Sequence, residues 1–281
     1  MGRSPFFDGV GQVDVKVDGM AAKLPIFYYD GTAMTALFVA RWRELRRVLP
    51  DPRFVPARLA PGLGVVGITC FEYRDTDIGP YNELAVSILL NEPWFLPNLP
   101  GQALARGLVR KQLHAFVHHL PVTTEVARAT GVGYWGYPKF VAGIDFEESA
   151  GRRTCRLSED GEEILTLSAR DIPTPRADRL RIFSHLYQDR LPQSSEFDLN
   201  VAAMGRTSRP VATLELGRSH PIAAELSRLL VSRRAFHYQL LRRFEGILYG
   251  PDRLSLPLLE WARGSIEAAR PAKPAKAAKA A

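Results

Sequence analysis

The order of apolar and polar positions along the chain predicts many short strands and a few helices. Val13-Asp14-Val15-Lys16-Val17 alternates strictly and reads as a short strand, and Ala33 to Ala40 is an apolar, β-compatible run. Trp42, Leu45, Val48 and Leu49 then fall on one helical face, which Pro50 and Pro52 terminate. Val65 to Tyr73 and Glu83 to Leu90 are rich in Val, Ile and Leu, as strands buried on both faces are, and Asp75-Thr76-Asp77-Ile78-Gly79-Pro80 between them predicts a hairpin. Gln102 to His119 reads as a single helix, with Leu104, Leu108, Lys111, Ala115 and His118 near one face. A second hairpin is predicted where Cys155-Arg156-Leu157 and Ile164-Leu165-Thr166-Leu167 flank Ser158 to Glu163. His220 to Leu230 reads as a helix with Pro221 near its start, and Phe244 to Tyr249 as a strand. No βαβ alternation is present. The pattern predicts an α+β, mostly antiparallel β fold with two or three helices.

Composition narrows the class. With 281 residues, 46% apolar and 24% charged, the chain has globular averages, and a β-rich body of this size is commonly one domain. The longest apolar runs fall far short of the roughly 20 residues that span a bilayer, and no export signal is expected. Two cysteines, Cys70 and Cys155, are too few for a disulfide framework, which fits a reducing cytoplasm. The net charge is +7, but Arg270, Lys273, Lys276 and Lys279 in the Ala/Pro/Lys tail supply four of those charges, so the body carries no nucleic-acid signature. The Arg-rich stretches 179–190 and 228–243 are diluted by acids and read as amphipathic surface or oligomer interface.

The lysine count singles out one residue. Outside the tail the chain has only Lys16, Lys23, Lys111 and Lys139, against thirty arginines overall. Arginine stays protonated, whereas lysine can act as a nucleophile. Lys139 lies in Gly133-Tyr134-Trp135-Gly136-Tyr137-Pro138-Lys139-Phe140, among aromatic rings, with Pro138 fixing the backbone before it and Tyr137 pushed to an extended conformation. Burial generally favours a neutral amine over an ammonium, and imine chemistry needs the neutral form. The plainer alternative is a lysine that lays its stem over the rings in a cation–π contact. His114 and His118, four apart on the expected helix, could in principle hold a metal, but no catalytic glutamate accompanies them, and no metal is expected.

The segment Trp135-Gly136-Tyr137-Pro138-Lys139, with Gly131 before it, resembles the Gly-Arg-Glu-x-x-Gly-x-Pro-Lys signature of the acetoacetate decarboxylase-like superfamily. Tyr81-Asn82-Glu83 is similar to that family's Tyr-x-Glu, and Leu49-Pro50-Asp51-Pro52 to its Leu-Pro-x-Pro element. The resemblance implies a closed, cone-shaped β-barrel with peripheral helices over residues 25–262, after a segment 1–24 and before a disordered tail 263–281. It implies that Lys139 forms the substrate imine, that Glu83 is the acid/base or positioning group, and that Tyr81, Trp135, Tyr137 and Phe140 surround the substrate. It implies a lyase acting on a small keto acid without metal or cofactor, by decarboxylation or by aldol or dehydration chemistry, in a homo-oligomer. This chain has Phe140 where the family's decarboxylases have a second lysine, Val132-Gly133 in place of Arg-Glu, no arginine matching the one on the N-terminal strand, and about 17 extra residues around 102–119. Activation of Lys139 is therefore expected from burial or from a residue distant in sequence. The alternative is a silent member that keeps the barrel as a binding or assembly module.

Overall fold

The computed structural model describes residues 4–17, 19–92, 97–188 and 191–251; the tail expected at 263–281 lies outside them. Among the described residues, strands β1 (Val13–Val17) and β2 (Met20–Leu24) form a small hairpin that leads into β3 (Ile26–Arg41). Helix α1 (Trp42–Val48) follows, then β4 (Leu63–Thr76), β5 (Tyr81–Leu89), α2 (Gln102–Arg110), β6 (Gln112–His119) and α3 (Glu125–Trp135). Strands β7 (Gly143–Ser149), β8 (Arg152–Glu159) and β9 (Glu162–Arg170) precede the long β10 (Arg176–Gln188) and β11 (Leu191–Thr207). Strand β12 (Ala212–Leu216), α4 (Pro221–Leu229) and β13 (His237–Leu248) complete the order.

Seven strands close into a barrel in the order β10-β11-β13-β3-β4-β5-β6, and β12-β9-β8-β7 form a separate antiparallel sheet. The mostly antiparallel barrel expected from the sequence is present. Its closure is the one parallel pairing, β6 against β10, which the chain reaches only after building α3 and most of the second sheet. Strand alternation explains why β4 and β5 carry nearly continuous apolar runs. Leu84, Val86 and Ile88 of β5 pack with Cys155, Leu157 and Leu167 of the second sheet, while Glu83, Ala85, Ser87 and Leu89 point into the barrel.

Two local readings need correction. The stretch 102–119 is not one helix: α2 ends at Lys111, which takes a left-handed conformation (φ 55°) and donates its backbone N–H to the Gly107 carbonyl. Gly107 permits the reversal, because a Cβ there would lie 2.8 Å from the Gln112 carbonyl oxygen. The segment Gln112–His119 joins β5 and β10, whose backbone groups would otherwise be unpaired, so ladder closure outweighs local helical spacing. The second concerns the number of helices, two or three being expected, and the addition is α3. Its glycines at 131 and 133 disguise a helix that Thr124 caps by accepting a hydrogen bond from the Ala127 amide, making four α-helices among the described residues.

Candidate active site

Gly136 ends α3 in a left-handed conformation (φ 66°), and the Tyr137 amide donates back to the Gly131 carbonyl at 3.1 Å. The chain then runs extended beside residues 120–122: Leu120 donates to the Pro138 carbonyl and Val122 to that of Phe140. Alternation along this run decides which side chains reach the barrel interior. Tyr137 and Lys139 point inward, while Pro138 is exposed and Phe140 packs on the opposite side, against the core shared with the second sheet. Phe140 is therefore not a pocket residue. Neither is Trp135, which is fully buried behind Tyr137 and donates its indole N–H to the Tyr249 carbonyl at 2.9 Å.

Lys139 Nζ donates to Glu83 Oε2 at 2.7 Å, and the two side chains are 5% and 9% exposed. The carboxylate comes from β5, 56 residues upstream, and its other oxygen accepts from the Tyr73 hydroxyl at 3.2 Å. Nζ lies 5.6 Å from the ring centres of both Tyr81 and Tyr137. The Tyr81 hydroxyl meets that of Tyr28 at 3.0 Å, and Tyr137 meets Ser195 at 2.7 Å. Burial, with the Glu83 charge adding to it, pushes the Tyr28, Tyr73 and Tyr81 phenols well above their ordinary range, and burial pushes Tyr137 up to about 12. All four remain protonated at neutral pH.

Gly131 has a specific task in this arrangement. A Cβ at that position would stand 2.5 Å from Lys139 Cδ and 2.6 Å from Cε, so the lysine stem occupies the space that a side chain on the inner face of α3 would take. A glycine inside a helix costs about 1 kcal/mol relative to alanine, and here it seats the amine.

Lys139, Glu83 and Tyr137 line a cavity of about 70 Å³ together with Phe71, Ser184 and Phe197. Thr35, Leu37, Thr69, Phe71, Leu89, Leu113 and Ile182 line both this cavity and an adjoining wider one of about 190 Å³ at the α2 end of the barrel. Arg106, Arg110, Lys111, Arg181 and Arg206 line this mouth against the carboxylates of Glu92 and Asp178. Arg106 donates Nη2 to Asn91 at 2.7 Å, while its buried Nε and Nη1 have no partner among the described residues. Beside it the His114 and His185 rings meet at 3.2 Å; burial, and for His114 also the charges of Arg106 and Arg110, drops them to about 4 and about 3, so both are neutral at pH 7. Sequence reasoning missed Arg106 because 102–119 read as one helix whose apolar face, through Leu104 and Leu108, lies opposite Arg106, leaving it as one more polar-face arginine.

The expected site residues thus divide. Lys139, Glu83 and Tyr137 come together on the cavity; Tyr81 stands beside the Lys139 amine without lining the cavity, and Trp135 and Phe140 also lie outside it. A family model described as acetoacetate decarboxylase (ADC) matches residues 17–244. The solved acetoacetate decarboxylase of Legionella pneumophila subsp. pneumophila str. Philadelphia 1 is similar in structure, with TM-score 0.58 and 14% identity over 80% of this chain and 86% of that one. The enduracididine biosynthesis enzyme MppR, solved with the condensation product of pyruvate and imidazole 4-carboxaldehyde, is similar with TM-score 0.57 and 14% identity, over 86% of this chain and 97% of that one. No curated protein sequence matches.

Proposed function

The chain belongs to the acetoacetate decarboxylase family, and from that premise we propose that it is a lyase in which Lys139 forms a Schiff base with a small keto acid. The observation that carries this reading is the 2.7 Å contact of Lys139 Nζ with Glu83 Oε2 at the closed end of a barrel cavity. A proton passed from Nζ to the carboxylate leaves a neutral amine aimed into the cavity, as nucleophilic attack requires. Attack on the keto carbon gives a carbinolamine. The Glu83 carboxyl returns its proton to the departing oxygen, water leaves, and a protonated imine remains. In a β-keto acid the electrons of the C–CO2 bond then flow into the imine, releasing CO2 and an enamine. Protonation of the enamine carbon and hydrolysis of the imine regenerate the amine. This route uses no metal or organic cofactor.

The protonated phenols of Tyr73 and Tyr81 add donors without adding a competing charge. The cationic mouth suits an anionic substrate, since a charged cleft raises the local concentration of its counter-ion. Arg106, which lines the mouth, is the cation proposed to meet the substrate carboxylate there. Assembly into a homo-oligomer belongs to the same reading and is checked by sedimentation.

Borohydride reduction in the presence of a panel of keto acids, followed by intact-mass measurement, tests the chemistry. A covalent adduct is expected with the native chain and not with Lys139→Ala. Absence of adduct across the panel, or an equal adduct in the variant, overturns the enzyme reading and leaves the barrel as a small-molecule binding module.

A further inference from the structure

A second cluster of chemically capable side chains lies outside the barrel cavity, where the end of β6 meets α4. His118 Nε2 stands 3.1 Å and His119 Nε2 2.8 Å from the same oxygen, Glu225 Oε2, and the three atoms lie within 4.8 Å of one another. Neighbouring residues of a regular strand point to opposite faces, so two consecutive imidazoles on one carboxylate require an irregularity. The β5–β6 ladder supplies it. Val86 pairs with His119 and Ser87 with Val117, which leaves His118 as an extra residue in a β-bulge. Bulges re-aim side chains, and this one brings the two rings to a centroid separation of 4.2 Å.

We propose that His118, His119 and Glu225 form a binding site for a divalent transition metal of the zinc class. Two imidazole nitrogens and one carboxylate oxygen suit Zn²⁺, with a fourth position left for water. Ligand atoms at about 2.0–2.1 Å around a tetrahedral ion stand roughly 3.3 Å apart, a few tenths of an ångström beyond the two His–Glu separations, while the two imidazole nitrogens lie within 4.8 Å of each other and close on the ion by ring rotation. One carboxylate is too few oxygens for calcium or magnesium, which take oxygen ligands almost exclusively. The side chains are 13%, 22% and 21% exposed, so the site is shielded and still reachable by an ion. None of the three lines the Lys139 cavity. The metal's role is to pin α4 to the barrel wall, joining two segments 106 residues apart.

The test uses the full chain, stripped with a chelator, dialysed and titrated with Zn²⁺ by calorimetry, with Co²⁺ absorption as the geometric probe. One ion per chain, a tetrahedral Co²⁺ spectrum and a higher melting temperature with Zn²⁺ are expected. His119→Ala and Glu225→Gln should each weaken that binding at least about 100-fold, since each removes a direct ligand. A His237→Gln control should leave it unchanged. Absence of stoichiometric binding in the native chain overturns the proposal, as does binding that survives both ligand variants. If the variants fail to fold, the spectrum of native Co²⁺ protein decides alone, because an octahedral aqua-like spectrum also overturns it.

Discussion

At the floor of the barrel the polar groups close on one another: Lys139 and Tyr73 both donate to Glu83, and Tyr137 meets Ser195. At the mouth the cations Arg106, Arg110, Lys111, Arg181 and Arg206 outnumber the carboxylates of Glu92 and Asp178. The contrast separates two tasks within one cavity. A closed network fixes reactive groups at a set distance, and a mouth rich in cations draws in an anionic ligand. The floor therefore carries chemistry in the proposed function, and the mouth carries recognition.

The sharpest way to break this contrast is at the floor. Lys139→Ala should abolish borohydride trapping. Lys139→Met should cost about 3–5 kcal/mol in urea unfolding, because removing one partner of a buried pair leaves the other uncompensated. Lys139→Met combined with Glu83→Leu should recover most of that loss. A single variant within 1 kcal/mol of the native chain would show that the pair is not energetically coupled, using the ~1 kcal/mol ceiling of exposed pairs as the yardstick.

Gly131→Ala tests position without touching a reactive group. The new Cβ would collide with the Lys139 stem, so the rate of adduct formation should fall by about 10²-fold, the scale of a 1 Å misplacement. The melting temperature should drop far less than in Lys139→Met, since alanine favours the helix. Unchanged trapping kinetics would mean that the lysine is seated by something else.

At the mouth, Arg106→Met should raise the half-saturating substrate concentration about 10-fold or more and leave the saturating rate near native, as loss of a charge-assisted contact made equally in ground and transition states does. A change confined to the saturating rate would move Arg106 from recognition to chemistry.

The mouth also carries a pH signature. His114 and His185 are held down to about 4 and about 3 from an ordinary 6.5, so the unfolded chain binds more protons than the folded one between those values. Their contribution to stability is complete above pH 6.5 and is lost as pH falls toward 4. Thermal melts should show a loss of about 3–4 kcal/mol at pH 5 relative to pH 7, roughly halved in His185→Gln. The smallest effect is expected at Phe140, which packs outside the cavity: Phe140→Leu should cost about 1 kcal/mol and leave trapping within about 2-fold of native.

The sequence by itself determined the elements whose signals are local. The alternation at Val13–Val17, the hairpin of β4 and β5, the Pro-stopped α1 and the Pro-led α4 all follow from side-chain period and backbone restriction over a few residues. It also marked Lys139, through lysine scarcity and the Tyr-Pro-Lys context, and Glu83 through resemblance. Tertiary structure decided the rest. Gln112–His119 became a strand because barrel closure needed its backbone hydrogen bonds, and that change alone placed Arg106 at the mouth and put His118 in a bulge beside His119. Gly131, marked in the sequence only as part of the signature, proved to be the space that the Lys139 stem fills. Tyr137 faces inward and Phe140 outward because the run between them is extended, a parity no composition argument supplies. The pairing of Lys139 with Glu83 joins residues 56 apart, and only the closed barrel brings them within 2.7 Å.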